Sequence, residues 1–332
     1  MKKIQLIQTG GTIAMDTGEG QQPTLNTHKW SKLIYEATPE LSQIADIEIE
    51  QLFFEDSSDI NKMHWAKLAE FIRDKYEDYD GFVILHGTDT MAYTASALSF
   101  SLQNLDKPVI LTGSQVPMSN IRSDARRNLV NSIEMATMSL PEVAICFNDF
   151  VYRGNRTTKM SIGDFDAFAS PNCPPLAEIG RNIKIRNHLN ERKGPLRIST
   201  DFSDQVFILK IYPNLDPHFL GQIDLGKIRA LIVEAFGSGN FPIHGEQSLL
   251  PFFKKCIANG ILLIITSQAP YDAVNLNNYE SGRQARAMGA LSARDMTTEA
   301  TLTKMMYLLA KNHDNQTIID QFNSNLVGEM TE

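Results

Sequence analysis

Four times in the N-terminal third of the chain, a short apolar, β-branched run ends in a turn of glycine and hydroxyl residues. Lys3 to Gln8 runs into Thr9-Gly10-Gly11-Thr12, and Ile47 to Phe54 into Asp56-Ser57-Ser58-Asp59. Phe82 to Leu85 runs into His86-Gly87-Thr88-Asp89-Thr90, and Val109 to Leu111 into Thr112-Gly113-Ser114-Gln115. Helical patterns alternate with these runs. Asn61 to Tyr79 sets Leu68, Ile72 and Tyr76 on one helical face, with Asn61 placed to cap the N-terminus. Thr90 to Leu105 and Ser123 to Met138 read as further helices. Repeated strand–turn–helix units predict an α/β fold built on a doubly wound, mainly parallel sheet with helices on both faces. Ligands of such sheets bind beyond the C-terminal ends of the strands. All four polar turns sit at such ends, so they are where chemistry is expected.

The chain has 332 residues, which at about 150 per domain suggests two domains. A polar stretch around residues 184–204, without a helical stripe, reads as a linker. The expected division is a catalytic N-terminal domain over 1–184, a linker over 185–205 and a smaller C-terminal α/β domain over 206–332. In the latter, Val206 to Ile211, Ala230 to Glu234 and Gly260 to Thr266 read as strands. Gln247 to Asn259, Thr297 to Lys311 and Thr317 to Phe322 read as helices.

Composition narrows the function. With 39 acidic against 31 basic side chains, the net charge of −8 argues against a nucleic-acid partner. The longest apolar run, Gly260 to Ile265, is far short of the roughly 18 residues a membrane span needs. The apolar stretch after Met1-Lys2-Lys3 ends too soon for a secretory signal. The three cysteines, Cys146, Cys173 and Cys256, form no close pair, which excludes a disulfide scaffold and suggests a reducing compartment. A soluble, cytoplasmic protein is expected. The seven histidines show no ligand spacing, so no metal and no cofactor are expected.

Gly10-Gly11 after a strand suggests phosphate binding, but neither a full G-x-G-x-x-G nor a Walker lysine follows. The glycine pair can instead make a sharp turn that lifts the Thr12 hydroxyl into a cleft as a nucleophile; the plain reading is a turn threonine. The polar segment from Ile13 to Trp30 reads as an active-site lid or a surface loop. Asp89 is either a helix cap or an anchor for a substrate ammonium, with Thr88 relaying a proton. His86, late in an apolar strand, reads as structural.

Thr9-Gly10-Gly11-Thr12-Ile13-Ala14, Asp56-Ser57-Ser58-Asp59 and His86-Gly87-Thr88-Asp89-Thr90 together resemble the bacterial-type L-asparaginase family, in order and in spacing. Thr112-Gly113-Ser114-Gln115-Val116-Pro117, Arg122-Ser123-Asp124, Thr158-Lys159 and the block from Asp295 to Lys304 extend the likeness over nearly the whole chain. It is most similar to the cytoplasmic type I branch. The resemblance implies hydrolysis of L-asparagine to L-aspartate and ammonia through an acyl-threonine intermediate. It implies Thr12 as nucleophile, with Thr88, Asp89 and Lys159 as the second catalytic cluster. Ser57, helped by the backbone of Asp56 and Ser58, would hold the substrate α-carboxylate. Asp89 would accept the α-ammonium, and the Ser114 carbonyl would contact the side-chain amide. A homotetramer built as a dimer of dimers is implied as well.

The chemistry fits these residue types. An amide is a poor electrophile, so a covalent route that splits the step helps, and a threonine hydroxyl needs a base to attack. A neutral Lys159 bonded to Thr88 could accept a proton, while Asp89 would favour the protonated lysine. The chain departs from the family pattern twice. No tyrosine lies between Ile13 and Trp30, where Gln21 and Gln22 precede Pro23. Glu234 stands where some type I members use an arginine to bind asparagine allosterically. In the turn Phe236 to Asn240, Asn240 either approaches substrate or belongs to a glycine turn; Tyr279 and Glu280 lie in a polar stretch. Two alternatives remain at this point: a glutaminase-asparaginase or related amidase, including the amidotransferase subunit, and a non-catalytic amino-acid-binding protein.

Overall fold

The computed structural model describes residues 1–14, 34–186, 189–190, 194–311 and 313–332. The candidate lid, with Gln21, Gln22 and its missing tyrosine, lies outside the described residues beyond Ala14. Two compact units divide between Thr200 and Asp201.

The first unit is built on an eight-stranded sheet. Its strands are β1 (Lys3–Gly10), β2 (Asp46–Glu55), β3 (Gly81–Leu85), β4 (Val109–Thr112), β5 (Val143–Phe147), β6 (Phe150–Arg153), β7 (Ala177–Ile179) and β8 (Ile183–Ile185). Their spatial order is β8-β7-β6-β5-β4-β3-β1-β2. The five strands from β2 to β5 run parallel. The last three continue the sheet antiparallel. The chain steps from β1 outward to β2, then crosses back to β3 on the other side of β1. That reversal is a topological switch point, and it opens a crevice at the C-terminal ends of β1 and β3.

Helices cover both faces, as the sequence pattern implied. Helix α1 (Lys62–Lys75) and α2 (Met91–Ser101) bury Leu68, Ile72, Met91, Ala95 and Leu98 against Ile7, Phe82, Ile84 and Leu111. Helix α3 (Ala125–Ala136) buries Leu129 and Ile133 against Ile4, Leu6, Val83 and Ile110 on the opposite face. The expected cap at Asn61 is present. Its side chain accepts from the Met63 amide at 3.0 Å, and the His64 ring accepts from the Asn61 amide at 3.2 Å. Helix α2 ends four residues before the expected Leu105, because Leu102–Gln103 pairs with Arg197–Ile198 as a short ribbon.

The second unit carries a four-stranded parallel sheet. Its strands β9 (Val206–Lys210), β10 (Ala230–Ala235), β11 (Leu262–Ser267) and β12 (Leu291–Ser292) lie in chain order. Helices α4 (Leu250–Ala258), α5 (Glu280–Ala287), α6 (Thr298–Ala310) and α7 (Asn315–Asn323) complete it. The polar stretch around Tyr279 and Glu280 is therefore the start of a helix, α5. Among the described residues no helix is long and apolar enough to cross a membrane.

Candidate active site

Three glycines bring the turns of the switch point into contact. Gly10 and Gly11 both have positive φ, +120° and +85°, in succession. A Cβ on Gly10 would meet the Glu55 carbonyl oxygen at 2.1 Å, and one on Gly11 would meet the Gly87 nitrogen at 2.4 Å. A Cβ on Gly87 would lie 2.6 Å from the Ser57 hydroxyl. Only glycine fits at these positions. The turns after β1, β2 and β3 therefore pack backbone to backbone, with Thr12, Ser57 and the Thr88-Asp89 pair each on one of them. The Thr90 hydroxyl donates to the Ser57 carbonyl at 2.6 Å and ties the second turn to the third.

Thr12 opens a single 3-10 turn, Thr12–Ala14, and is half-buried. Asp56 caps the next such turn, Ser57–Asp59, by accepting from the Ser58 amide at 2.8 Å. That hydrogen bond holds the Asp56 carboxyl below the usual carboxylate range. It also commits the Ser58 amide within the turn. Ser57 is buried beside the glycine contacts.

Lys159 comes from a two-residue strand, Thr158–Lys159, paired with Phe168–Ala169. Its Nζ donates to Thr88 Oγ1 at 2.7 Å and to Asp89 Oδ1 at 2.6 Å. The lysine side chain is only 15% exposed whereas that of Asp89 is 68% exposed, so the cluster offers its carboxylate outward. Thr88 Oγ1 in turn donates to Gln115 Oε1 at 3.2 Å. The fourth turn follows β4. Ser114 is buried there, and its hydroxyl donates to the Val116 carbonyl at 2.7 Å.

His86 is structural. It is fully buried, and desolvation pulls its pKa down to about 4. Nδ1 lies 2.7 Å from the Gly87 carbonyl, which can only accept, so the proton sits on Nδ1. Nε2 then accepts from the Thr94 hydroxyl at 2.9 Å, which itself accepts from Trp65 Nε1 at 3.1 Å. This chain of neutral hydrogen bonds holds the Gly87 carbonyl from behind.

Two residues that carry the site geometry received no role from the sequence. The Asp124 carboxylate accepts from the backbone amides of Gln115, at 3.0 Å, and Val116, at 3.1 Å. Asn128 Nδ2 donates to Asp124 Oδ2 and to the Gly113 carbonyl, both at 3.0 Å. Asp124 lies inside the Arg122-Ser123-Asp124 block and Gln115 inside Thr112 to Pro117, so the signal was there. Nothing in either block says which side chain faces the turn. Among the described residues no cluster of three or more His, Cys, Asp or Glu could hold a metal ion.

In the second unit, Glu234 is the penultimate residue of β10, and its carboxylate accepts from the Thr298 hydroxyl at 3.0 Å. The Asn240 side chain accepts from Ser281 at 2.6 Å within its own unit, and Phe236 and Asn240 close the glycine turn as a β-bridge. Tyr279 occupies the N-cap position of α5, and Glu280 accepts from Gln284 at 3.0 Å.

The fold and site define a class: a doubly wound α/β protein that gathers hydroxyls, an ammonium and a carboxylate at its switch point, the inventory of covalent amide chemistry. Residues 3–191 match the family model described as Asparaginase, N-terminal, and residues 205–322 match the Glutaminase/Asparaginase C-terminal domain. The chain is 40% identical to L-asparaginase 1 of Escherichia coli strain K12 over 99% of its own length and 98% of that protein. Its structure is similar to the thermostable L-asparaginase of Thermococcus kodakarensis, with a TM-score of 0.91 at 32% identity and 99% coverage of each chain. It is also similar to L-asparaginase I of Vibrio cholerae, with a TM-score of 0.88 at 35% identity, covering 100% of this chain and 99% of that one. The chain belongs to the asparaginase family.

Proposed function

We propose that the chain hydrolyses L-asparagine to L-aspartate and ammonia through an acyl-enzyme on Thr12. The observation that carries this reading is the Lys159 ammonium bonded at once to Thr88 Oγ1 and Asp89 Oδ1, on the turn packed against Gly11. Asparagine brings an α-ammonium, an α-carboxylate and a side-chain amide. The exposed Asp89 carboxylate accepts the ammonium. Ser57 takes the carboxylate, while the Ser58 amide stays committed to Asp56. The Ser114 carbonyl accepts from the amide nitrogen.

Thr12 Oγ1 attacks the amide carbon and the C–N bond breaks. The Thr12 proton passes to the open lone pair of Thr88 Oγ1 and on from there to the departing nitrogen, so ammonia leaves and Thr88 keeps the proton it gives to Gln115. Lys159 donates to the Thr88 oxygen and steadies it during the exchange. Water then attacks the acyl carbon. Its proton takes the same path to Thr12 Oγ1, which releases aspartate. General acid–base relays of this kind contribute about 10²- to 10⁴-fold in rate.

The chain acts in the cytoplasm as a homotetramer built from paired dimers. Exposed apolar side chains beside the site, Ile121, Met160, Ile162 and Phe165, support an interface between copies. Ammonia release measured with asparagine and with glutamine tests the function. Release from asparagine at the higher kcat/KM supports the proposal; preference for glutamine favours a glutaminase-asparaginase, and binding of asparagine without release contradicts hydrolysis. Light scattering tests the assembly, and a monomer in solution would contradict it.

A further inference from the structure

Gln115 touches Thr88 from outside the proton path between Thr12 and the leaving nitrogen. We propose that Gln115 is a positioning residue that sets the direction of the Thr88 hydroxyl, so that its free lone pair, and not its proton, faces the crevice at rest. The inference rests on the assignment of Thr88 and Lys159 to proton transfer.

The amide of Gln115 can sit only one way round. Its Nε2 lies 3.3 Å from the Ser161 carbonyl and 3.1 Å from the Asp164 carbonyl. Both partners are pure acceptors, so the NH₂ group must point at them. The atom left facing Thr88 is Oε1, itself a pure acceptor, at 3.2 Å. Thr88 has a single hydroxyl proton, and that proton goes to Gln115. One lone pair of Thr88 Oγ1 receives Lys159 Nζ at 2.7 Å. The second lone pair remains open to take a proton from the Thr12 hydroxyl or, after acylation, from water. A glutamine turned the other way would donate to Thr88 and occupy that lone pair.

Gln115 is itself held rigidly. Its backbone amide donates to both oxygens of Asp124, at 3.1 and 3.0 Å, and the next amide, of Val116, also donates to Asp124. Asn128 locks Asp124 from the side and reaches the Asn148 amide, which donates to Asn128 Oδ1 at 2.9 Å. A side chain fixed at both ends is what orienting one rotatable hydroxyl requires, because loose support costs the geometry it is meant to enforce.

A merely structural glutamine would anchor the segment from Ser161 to Asp164 and do nothing through Thr88. Gln115→Met keeps the length and removes both polar atoms. Expected for Gln115→Met is a fall in kcat of about 100-fold, the scale of a misaligned reacting group, with KM for asparagine changed by no more than about twofold. In a Thr88→Val background the same substitution should have no further effect on kcat. An unchanged kcat in Gln115→Met, or an equal loss with and without Thr88, overturns the proposal. A Thr88→Val enzyme with the parental kcat instead overturns the reading on which it rests, so the two failures are distinct. Gln115→Glu gives a second readout should the methionine variant not fold. Its carboxylate still accepts from the Thr88 hydroxyl but no longer donates to the Ser161 and Asp164 carbonyls, so its kcat should stay well above that of Thr88→Val. A Gln115→Glu kcat as low as that of Thr88→Val overturns the proposal.

Discussion

At the residue scale the site is a matter of which atoms can donate. Thr88 Oγ1 receives Lys159 and gives to Gln115, while Asp89 shares the lysine and keeps most of its carboxylate exposed. Thr88→Val removes the relay hydroxyl at nearly constant shape. The expected result is a fall in kcat of about 10²- to 10⁴-fold, measured by ammonia release, with the melting temperature nearly unchanged. Lys159→Met should fall in the same range. His86 makes a prediction of a different kind. Its pKa is about 4 in the fold against 6.5 as a free side chain. The unfolded chain therefore takes up a proton that the folded chain refuses between those values, and stability falls as pH drops from 6.5 towards 4. The loss amounts to about 3 kcal/mol at 1.36 kcal/mol per pH unit. Urea unfolding at pH 7 and pH 5 checks it; a His86→Gln variant that folds should show a smaller change between the two. Thr12, Thr88 and Asp89 stood out in the sequence because hydroxyl and charged residues sit at the ends of apolar runs, and Lys159 stood out only through its place beside Thr158 in the family pattern. Gln115 and Asp124 were not, because their roles depend on side-chain direction across residues far apart in sequence.

At the scale of elements, the site exists because β1 and β3 end beside each other and only glycine lets their turns close. Gly11→Ala combines a φ of +85° with a Cβ 2.4 Å from the Gly87 nitrogen. The backbone must move, and a strained conformation of this kind costs about 1–3 kcal/mol even before the clash is counted. Gly11→Ala should lower the unfolding free energy by at least that much and abolish ammonia release; an active, fully stable variant would mean the turns do not need contact. The parallel strands β1 to β4 were readable because each is rich in β-branched or apolar residues and ends in turn residues: β3 and β4 are continuous apolar runs, glutamines interrupt β1, and Glu alternates with Ile in β2. Strands β6, β7 and β8 are short and pair antiparallel with partners that no local pattern names, so they went unread. Helix α5 went unread because its exposed face is polar and only Ser281, Gly282 and Ala285 are buried. Helix α2 is buried almost all round, so it has no stripe; its place after the Thr88 turn identified it.

At the scale of the whole molecule, each unit has its own core, and the second is closed by its C-terminal segment. Lys304 of α6 and Glu329 form an ion pair 2.5 Å long with no exposed side-chain surface. Lys304 Nζ also donates to the Phe322 carbonyl at 2.9 Å and the Ser324 carbonyl at 2.6 Å. The Glu329 carboxylate accepts from the amides of Leu326 and Val327, at 3.0 and 2.8 Å. Desolvation pulls the Lys304 pKa down, with Glu329 opposing it. Removing one member of a buried pair strands the other, at a cost of about 3–5 kcal/mol. Glu329→Gln should lose stability on that scale in chemical denaturation, and amide exchange should show lost protection within residues 201–332. Lys304 entered the sequence reading as part of a family block, without a partner, because Glu329 lies beyond the helix that separates them.

The central claim is that asparagine hydrolysis passes through an acyl-enzyme on Thr12. Acid-quenching the enzyme during turnover and mapping the adduct by mass spectrometry tests it directly. The account expects an aspartyl ester on the peptide that contains Thr12, absent from Thr12→Ala, which releases no ammonia above background. An ester on another residue, or substantial ammonia release from Thr12→Ala, would contradict it.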